Sequence, residues 1–396
     1  MAHRIRKLSH APIILALLSS YTSALEDVKL SGFARLVGGH LDTKAAEFKG
    51  YDDGWSIQPS SLIGLQVDAD INPEISLTAQ LIGHADDNKD SGIEWLYVTW
   101  RPLDQLTIKA GQLRTPFFTL SEVRDIGFAY PWVAPPQQVY NGYLFDTYDG
   151  IDLTWGYAGK GFDASLELWG GRYDGAYDDG FGDIEYSVSQ LAGAIGRINY
   201  RNFEFRASRY RGEVDLKIPS LDQFAGILSQ YGFSESAASL NTEGAVDVNQ
   251  LGIVYDNLSY FVRAEWVDIT PEMTMIPGLE SGYLSAGYNF TPATLHLTFA
   301  NSRPKISSPE QEIPLGVAPA LDALNQQYTG IFATMLRDDL QSITLGCRWD
   351  VSASLALKAE WSILKGKAGS NSFYTLPADD FDRKANLYLL GAEWNF

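Results

Sequence analysis

The chain has 396 residues, with 30 Lys and Arg against 49 Asp and Glu and a formal net charge of -19. That balance leaves no concentrated basic face for phosphates, which argues against nucleic acid as a partner. The single cysteine, Cys347, excludes an internal disulfide and leaves thiolate metal clusters without ligands. Length alone admits two or three globular domains or one large closed β architecture.

The first element in chain order is an export signal. Residues 1–24 carry a basic start (Arg4, Arg6, Lys7), an apolar stretch over 12–18 and the small-residue end Thr22-Ser23-Ala24. Its apolar stretch falls far short of the roughly 20 residues of a spanning helix, and no later stretch comes closer. Without those 24 residues the chain keeps 27 Lys and Arg against 49 acids, a net charge of -22. The remainder, 25–396, is expected to form one domain, since no composition break or repeat divides it.

From Val28 onward the periodicity is two, which sends alternate side chains to opposite faces of a strand. An opening strand spans about 30–39. Ile63, Leu65, Val67 and Ala69 then share one face against Gln66 and Asp68. After a turn at 71–74, Ile75, Leu77, Ala79 and Leu81 return opposite Ser76, Thr78 and Gln80. Six more hairpins repeat the scheme, turning at 101–104, 159–161, 201–202, 256–257, 291–292 and 350–352. A closing strand over about 385–396 puts Tyr388, Leu390, Ala392 and Trp394 on one face, and the total is sixteen strands.

The tight turns alternate with long polar segments at about 40–58, 83–92, 113–147, 173–187, 212–246, 268–280, 301–339 and 364–384. Two of these, over 220–240 and 318–336, read as short helices. Even strand number, short turns on one rim and long loops on the other are the organisation of a transmembrane antiparallel β-barrel, with periplasmic turns and extracellular loops. A closed cylinder also leaves no unpaired strand edge, which lipid demands. Tyr157, Tyr200, Tyr255, Tyr288, Trp349 and Trp394 fall near strand ends, where aromatic girdles sit. A lumen sixteen strands around is too wide for wall side chains alone to fill.

The whole chain after residue 24 resembles the Gram-negative porins of the sixteen-stranded trimeric type: a signal segment, sixteen amphipathic strands, one long third loop and a terminal aromatic. The segment 386–396, ending in Phe396 with alternating apolar residues, is similar to the assembly signal of outer-membrane barrels. Gly111-Gln112-Leu113-Arg114-Thr115-Pro116-Phe117 is similar to a segment of phosphate-selective porins. The resemblance implies the outer membrane as location and a homotrimer of water-filled pores, each narrowed by an inward-folded third loop. It also implies lipid and lipopolysaccharide surroundings, insertion by the barrel assembly machinery, and no cofactor.

Strand parity aims Glu204, Arg206, Arg263, Glu265, Arg348, Lys358, Glu360, Asp152, Asp163 and Glu167 into the lumen, because Arg or Lys facing lipid costs about 2–4 kcal/mol near the midplane. Arg206, Arg263, Arg348 and Lys358 are expected to form a basic strip on the pore wall; the alternative is that they pair with neighbouring carboxylates and keep the lumen wet. The third loop, 113–147, carries Glu122, Asp125 and Asp146, with Asp149 at its exit and a stiff Tyr130-Pro131-Trp132-Val133-Ala134-Pro135-Pro136 tract. An acidic loop opposite a basic wall would set a transverse field across the constriction; the alternative is an extracellular lid with solvated acids.

Catalysis is not expected. Only His40, His84 and His296 lie beyond the signal, and none sits in a nucleophile motif. The acid-rich stretches 86–90 and 174–183 offer oxygen ligands to a cation such as calcium, with solvated loops as the plainer reading. The expected function is passive diffusion of small hydrophilic solutes, with a channel selective for anions or small organic acids as the alternative.

Overall fold

In the computed structural model, described for residues 27–141, 145–178, 183–335, 337–367, 370, 372–375 and 377–396, the amphipathic tracts form eighteen strands. They are β1 (Asp27–Leu41), β2 (Glu47–Phe48), β3 (Leu62–Asn72), β4 (Ile75–His84), β5 (Gly92–Leu103), β6 (Leu106–Arg114), β7 (Thr147–Ala158), β8 (Phe162–Asp178) and β9 (Asp183–Tyr200). The series continues with β10 (Phe203–Leu216), β11 (Glu243–Asp256), β12 (Tyr260–Pro271), β13 (Gly278–Phe290), β14 (Ala293–Lys305), β15 (Leu340–Asp350), β16 (Leu355–Gly366), β17 (Tyr374–Thr375) and β18 (Lys384–Asn395). The export signal read at 1–24 lies outside the described residues.

All strands except β2 and β17 join one closed antiparallel barrel of sixteen. Closure runs through β1 and β18, from Phe33 opposite Asn395 to Leu41 opposite Leu387. Beyond β18, Phe396 and Gly32 exchange backbone hydrogen bonds of 2.9 and 2.8 Å. Gly32 is required there: a Cβ on it would lie 2.4 Å from the Phe396 ring. Among the described residues no barrel strand is left with an open edge, so the ladders close within the chain and are interrupted only locally, as at the bulges near Asp70 and Gly171, which suits a hydrocarbon surrounding.

The outward faces carry the apolar residues. On β12 these are Tyr260, Val262, Ala264 and Trp266; on β14, Leu295, Leu297 and Phe299; on β10, Phe203, Phe205 and Ala207. The large ones stand exposed, as Leu284, Leu297 and Leu390 show at 54–55%. Toward the long-loop rim the outward residues turn charged within one or two positions: Arg172, Arg209, Asp268, Glu280 and Arg303. Eight residues of strand cover about 27 Å at about 3.4 Å per residue, which matches an apolar band roughly 25 Å tall. Trp266 marks its upper edge by donating to Glu280 Oε1 at 3.2 Å. Tyr157, Tyr200, Tyr288, Trp349 and Trp394 are exposed around the short-turn rim.

The strands outrun the band in places. β8 and β9, of 17 and 18 residues, extend through most of the 173–187 segment expected to be loop. The polar composition there signals departure from lipid and not the end of pairing, because Tyr173, Asp174 and Tyr186, Ser187 keep their ladder partners. The helices expected near 220–240 and 318–336 are present at Pro219–Gln230, Ser234–Ala238 and Pro319–Ala333. They pack together through Phe224, Leu228, Leu240, Ile313, Tyr328 and Phe332 above one half of the mouth. Glu312 Oε2 accepts from the first amides of the 234–238 helix, Glu235 N at 2.8 Å and Ser236 N at 3.0 Å. Above the other half, β2 pairs with β17 and buries Phe48, Tyr51, Phe373, Tyr374 and Phe381 on the inner ends of β1, β16 and β18.

Replacing Leu284, at the middle of β13 and facing outward, with Arg is expected to lower barrel stability by about 2–4 kcal/mol in bilayers. Replacing the inward, partly exposed Gln66 of β3, which lies beside Asp68, with Arg is expected to spare the apolar band. Urea unfolding in liposomes reads the difference, and equal losses at both positions contradict the band.

Candidate functional site

The segment between β6 and β7 does not arch over the mouth. It enters the lumen, and three sets of wall side chains fix it there.

The first set lies at the base. Arg114, at the end of β6, donates to Asp125 Oδ2 at 2.5 Å and to Glu94 Oε1 at 3.0 Å; Arg124 grips Asp146 with two bonds of 2.7 Å. Burial by itself would raise the Asp125 carboxyl, but Arg114 and Arg124 outweigh it and hold the group well below the ordinary carboxylate range. The Asp146 carboxyl follows the same logic: burial pushes it up and Arg124 brings it down past its ordinary value. A carboxylate lowered in this way contributes stability above its ordinary pKa and loses it only as pH falls through the depressed value, so this base stays paired through mild acid.

The second set stands on β10, β11 and β12. Arg206 donates to Pro116 O at 2.6 Å and Phe117 O at 3.4 Å, and also to Gln250. Gln250 passes the network to Glu265 Oε1 at 2.9 Å, which also accepts the Thr119 amide at 2.9 Å; Glu265 Oε2 accepts the Tyr140 hydroxyl at 2.6 Å. The loop's aromatic side chains settle beside this network, with Phe117 stacked on Tyr210 at 4.4 Å and Phe118 edge-on to Tyr140.

The third set stands on β1, β15, β16 and β18 and holds the stretch 127–134. An ammonium has three N–H donors, and Lys358 spends them on Gly127 O, Tyr130 O and Trp132 O at 2.6, 2.8 and 2.7 Å. Arg348 donates to Phe128 O at 2.7 Å and Tyr130 O at 3.1 Å; Arg35 donates to Val133 O at 2.5 Å and the Tyr130 hydroxyl at 3.2 Å. Glu360 Oε2 accepts the Ala134 amide at 3.3 Å. Glu393 sits among the cations, 3.5 Å from Arg35 and 3.9 Å from Lys358, so the cluster is not uniformly positive. Its carboxyl lies where Gly127 passes: a Cβ at Gly127 would come within 2.2 Å of it. Trp132 Nε1 then bonds Thr298 at 2.9 Å, and Gln138 bonds Ser342 at 2.8 Å, completing a belt around much of the lumen.

This arrangement differs from an acidic loop opposite a free basic strip. Arg206 and Lys358 are 4% exposed and, like Arg348, face loop carbonyls. Arg263 lies over the Phe261 and Trp132 rings at 5.1 and 5.9 Å, 3.8 Å from Asp256. Asp125 and Asp146 pair with Arg114 and Arg124. Glu122 is the most open of the loop acids, its side chain 59% exposed against 42% for Asp146, and it lies 3.7 Å from Lys109. Asp149 shares the outward parity of Ile151 and Trp155 on β7 and faces away from the lumen. Half-exposed charge persists inside on Asp68, Lys109 and Arg197, along the wall from β3 to β9.

The remaining sequence candidates fall elsewhere. His40 stacks between Trp55 and Tyr388 at 5.7 and 6.2 Å. His296 is buried 3.6 Å from Glu360, and neither ring nitrogen has a hydrogen-bond partner, so no hydroxyl is poised on it. Asp86 lies 3.8 Å from Lys89, and among the described residues no three His, Cys, Asp or Glu side chains gather as a metal site.

No family model and no curated protein matches this sequence. Solved structures do match over most of the chain. OmpT, an outer membrane protein of Vibrio cholerae, in a form lacking loop L8, superposes with a TM-score of 0.56 at 11% identity, covering 93% of this chain and 99% of that one. The outer membrane channel DcaP of Acinetobacter baumannii gives 0.56 at 12% identity, with 93% and 97% covered. An anion-selective porin from Comamonas acidovorans gives 0.55 at 14% identity, with 93% and 99% covered. Identities this low establish a shared fold: the sixteen-stranded outer-membrane-type barrel.

Sequence parity aimed Arg206, Arg348, Lys358, Glu265 and Glu360 correctly but did not name what they hold. Arg35, Arg114, Gln250 and Glu393 were missed as members of the same network. Arg35 alternates with the outward Ala34 and Leu36, and Glu393 with the outward Trp394, so the inward signal is present in the sequence. The signal for a shared partner was not, because the partner is main chain.

Replacing Lys358 with Met strands the Gly127 and Trp132 carbonyls, leaves Tyr130 O to Arg348 alone and leaves Glu393 short of a cation, a loss of about 3–5 kcal/mol for a buried charge cluster deprived of one partner. The stretch 127–134 is expected to detach and single-channel conductance to rise. Gly127→Ala is expected to act in the same direction by wedging against Glu393. Unchanged conductance in both variants, with barrels that fold normally by heat-modifiability on gels, contradicts the clamp.

Proposed function

We propose that this chain is an outer-membrane porin, a water-filled channel for passive diffusion of small hydrophilic solutes, narrowed by the 113–147 segment. The observation that supports this reading best is one cylinder with a lipid-height apolar exterior and a polar interior partitioned by a loop tied to the wall. A soluble barrel has no use for the exterior, and a plug-type receptor has no use for a partition made from a loop of its own wall. The reading carries assembly as a homotrimer, residence among lipid and lipopolysaccharide, and delivery by the barrel assembly machinery through the terminal segment ending in Phe396.

Selectivity for anions or small organic acids rested on four wall cations. With Arg206, Arg348 and Lys358 directed at carbonyls, the charges left to meet a solute include Lys109, Arg197, Arg263, Glu122, Asp68, Asp152 and Glu167, a mixed set. Mixed charge favours the general pore with weak ion preference.

Purified protein reconstituted into planar bilayers is expected to insert as steps grouped in threes, with a small reversal potential in a tenfold KCl gradient. Conductance that saturates with one organic acid supports the selective reading instead. Absence of any conductance from correctly folded barrels overturns both.

A further inference from the structure

Beside the base of the loop, the wall of β5–β8 contains a recess of about 20 Å³, lined by Trp95, Lys109, Glu122, Tyr148, Asp152 and Glu167 among others. A volume of that order holds one water-sized group. Three carboxylates, Glu122, Asp152 and Glu167, and two basic groups, Lys109 and Arg114, line it. Glu167 pairs with Arg197 at 2.5 Å, Glu122 with Lys109 at 3.7 Å, and Arg114 is committed to Asp125 and Glu94. Asp152 receives the Thr154 hydroxyl at 3.1 Å, lies within hydrogen-bonding reach of the Glu167 carboxyl, and stands opposite Lys109 in the β6–β7 ladder, with no ion pair within 4 Å among the described residues.

A second observation points to the same place. Tyr148 is 1% exposed and its hydroxyl has no hydrogen-bond partner. Its ring lies flat along the wall over Gly150 and Gly171, where added Cβ atoms would come within 2.7 and 2.8 Å of it. Gly150 separates Tyr148 from Asp152 on one inward face, so the phenol extends toward the carboxylates, whose charges are among those acting on it. The Trp95 indole N–H lines the recess and is also unpartnered. Leaving a buried hydroxyl unsatisfied is costly, and a ligand that pairs it recovers that cost.

We propose that this recess binds the primary ammonium group of a small organic cation, held between the Asp152 and Glu167 carboxylates and the Tyr148 hydroxyl oxygen. The inference rests on the pore reading, which delivers solute to the wall, and adds to it the class of solute retained there. Three N–H donors meet three acceptors. Calcium, which takes 6–8 oxygen ligands, finds too few. Anions meet three carboxylates, Glu122, Asp152 and Glu167, against the two cations Lys109 and Arg197. The Trp95 N–H is left for an acceptor atom carried by the same solute.

Isothermal titration of the detergent-solubilised full chain with methylammonium chloride at constant ionic strength tests this. Saturable binding is expected, weakened at least about tenfold by Asp152→Asn, as loss of a charge-assisted bond implies, and severalfold by Tyr148→Phe. Tyr148→Phe removes one oxygen atom and covers the case in which Asp152→Asn fails to fold. Absence of binding, unaltered binding in Tyr148→Phe, or displacement by equimolar potassium overturns the assignment. Calorimetry needs no conduction, so a chain that is silent in bilayers yet binds methylammonium refutes the pore reading alone, and one that conducts without binding refutes the recess alone.

Discussion

Cations that exchange water for peptide carbonyls organise the inside of this molecule. A cylinder of sixteen strands encloses more space than its own side chains fill, and what fills it must bring its own backbone groups into a partly dry interior. Each unmet carbonyl there is costly. Lys358, Arg348, Arg35 and Arg206 meet that demand from the wall, and Glu265 and Glu360 do so for two amides. The loop's course follows from those contacts: across to β10–β12 first, then to the seam where β1 closes on β18. Barrel closure and pore narrowing therefore share residues, since Arg35 and Glu393 face each other across the closing pair of strands.

The same electrostatic rule acts with opposite results on the two faces of the wall. Outward, charge is excluded over about 25 Å and reappears abruptly at Arg209, Asp268 and Arg303, where Arg209 finds Asp247 and Asp268 finds Lys305. Inward, charge is admitted where a carbonyl or a carboxylate meets it. Polar hydrogen-bond ladders replace ion pairs on β3 and β4, where Thr78 and Gln66 both donate to Asp68 at 2.7 and 2.8 Å. One sheet thereby serves as a lipid surface and as a binding surface, according to residue parity.

Period-two alternation carried the barrel almost entirely. It located every hairpin, the closing strand and the inward orientation of the charged residues, because lipid penalises a one-residue slip on every strand at once. It misjudged 173–187 because composition marks where lipid ends and not where pairing ends. The partners of the wall cations were not legible for a different reason. Side-chain types reveal likely ion pairs, whereas Lys358 binds three carbonyls that every residue possesses, contributed by a stretch more than 220 residues away. Asp149 illustrates the remaining limit: one position after the inward Tyr148, it points outward, and a loop boundary uncertain by one residue reverses the face.

Hydrogen–deuterium exchange of the protein in lipid nanodiscs tests the central claim most directly. If wall cations hold the loop as a fixed partition, amides over 117–134 exchange far more slowly than those of the exposed 351–354 turn, and Lys358→Met accelerates 127–134 while leaving the β16 ladder protected. Exchange over 117–134 as fast as in that turn, or insensitivity to the loss of Lys358, would mean that the loop moves freely and that the lumen is not organised in this way.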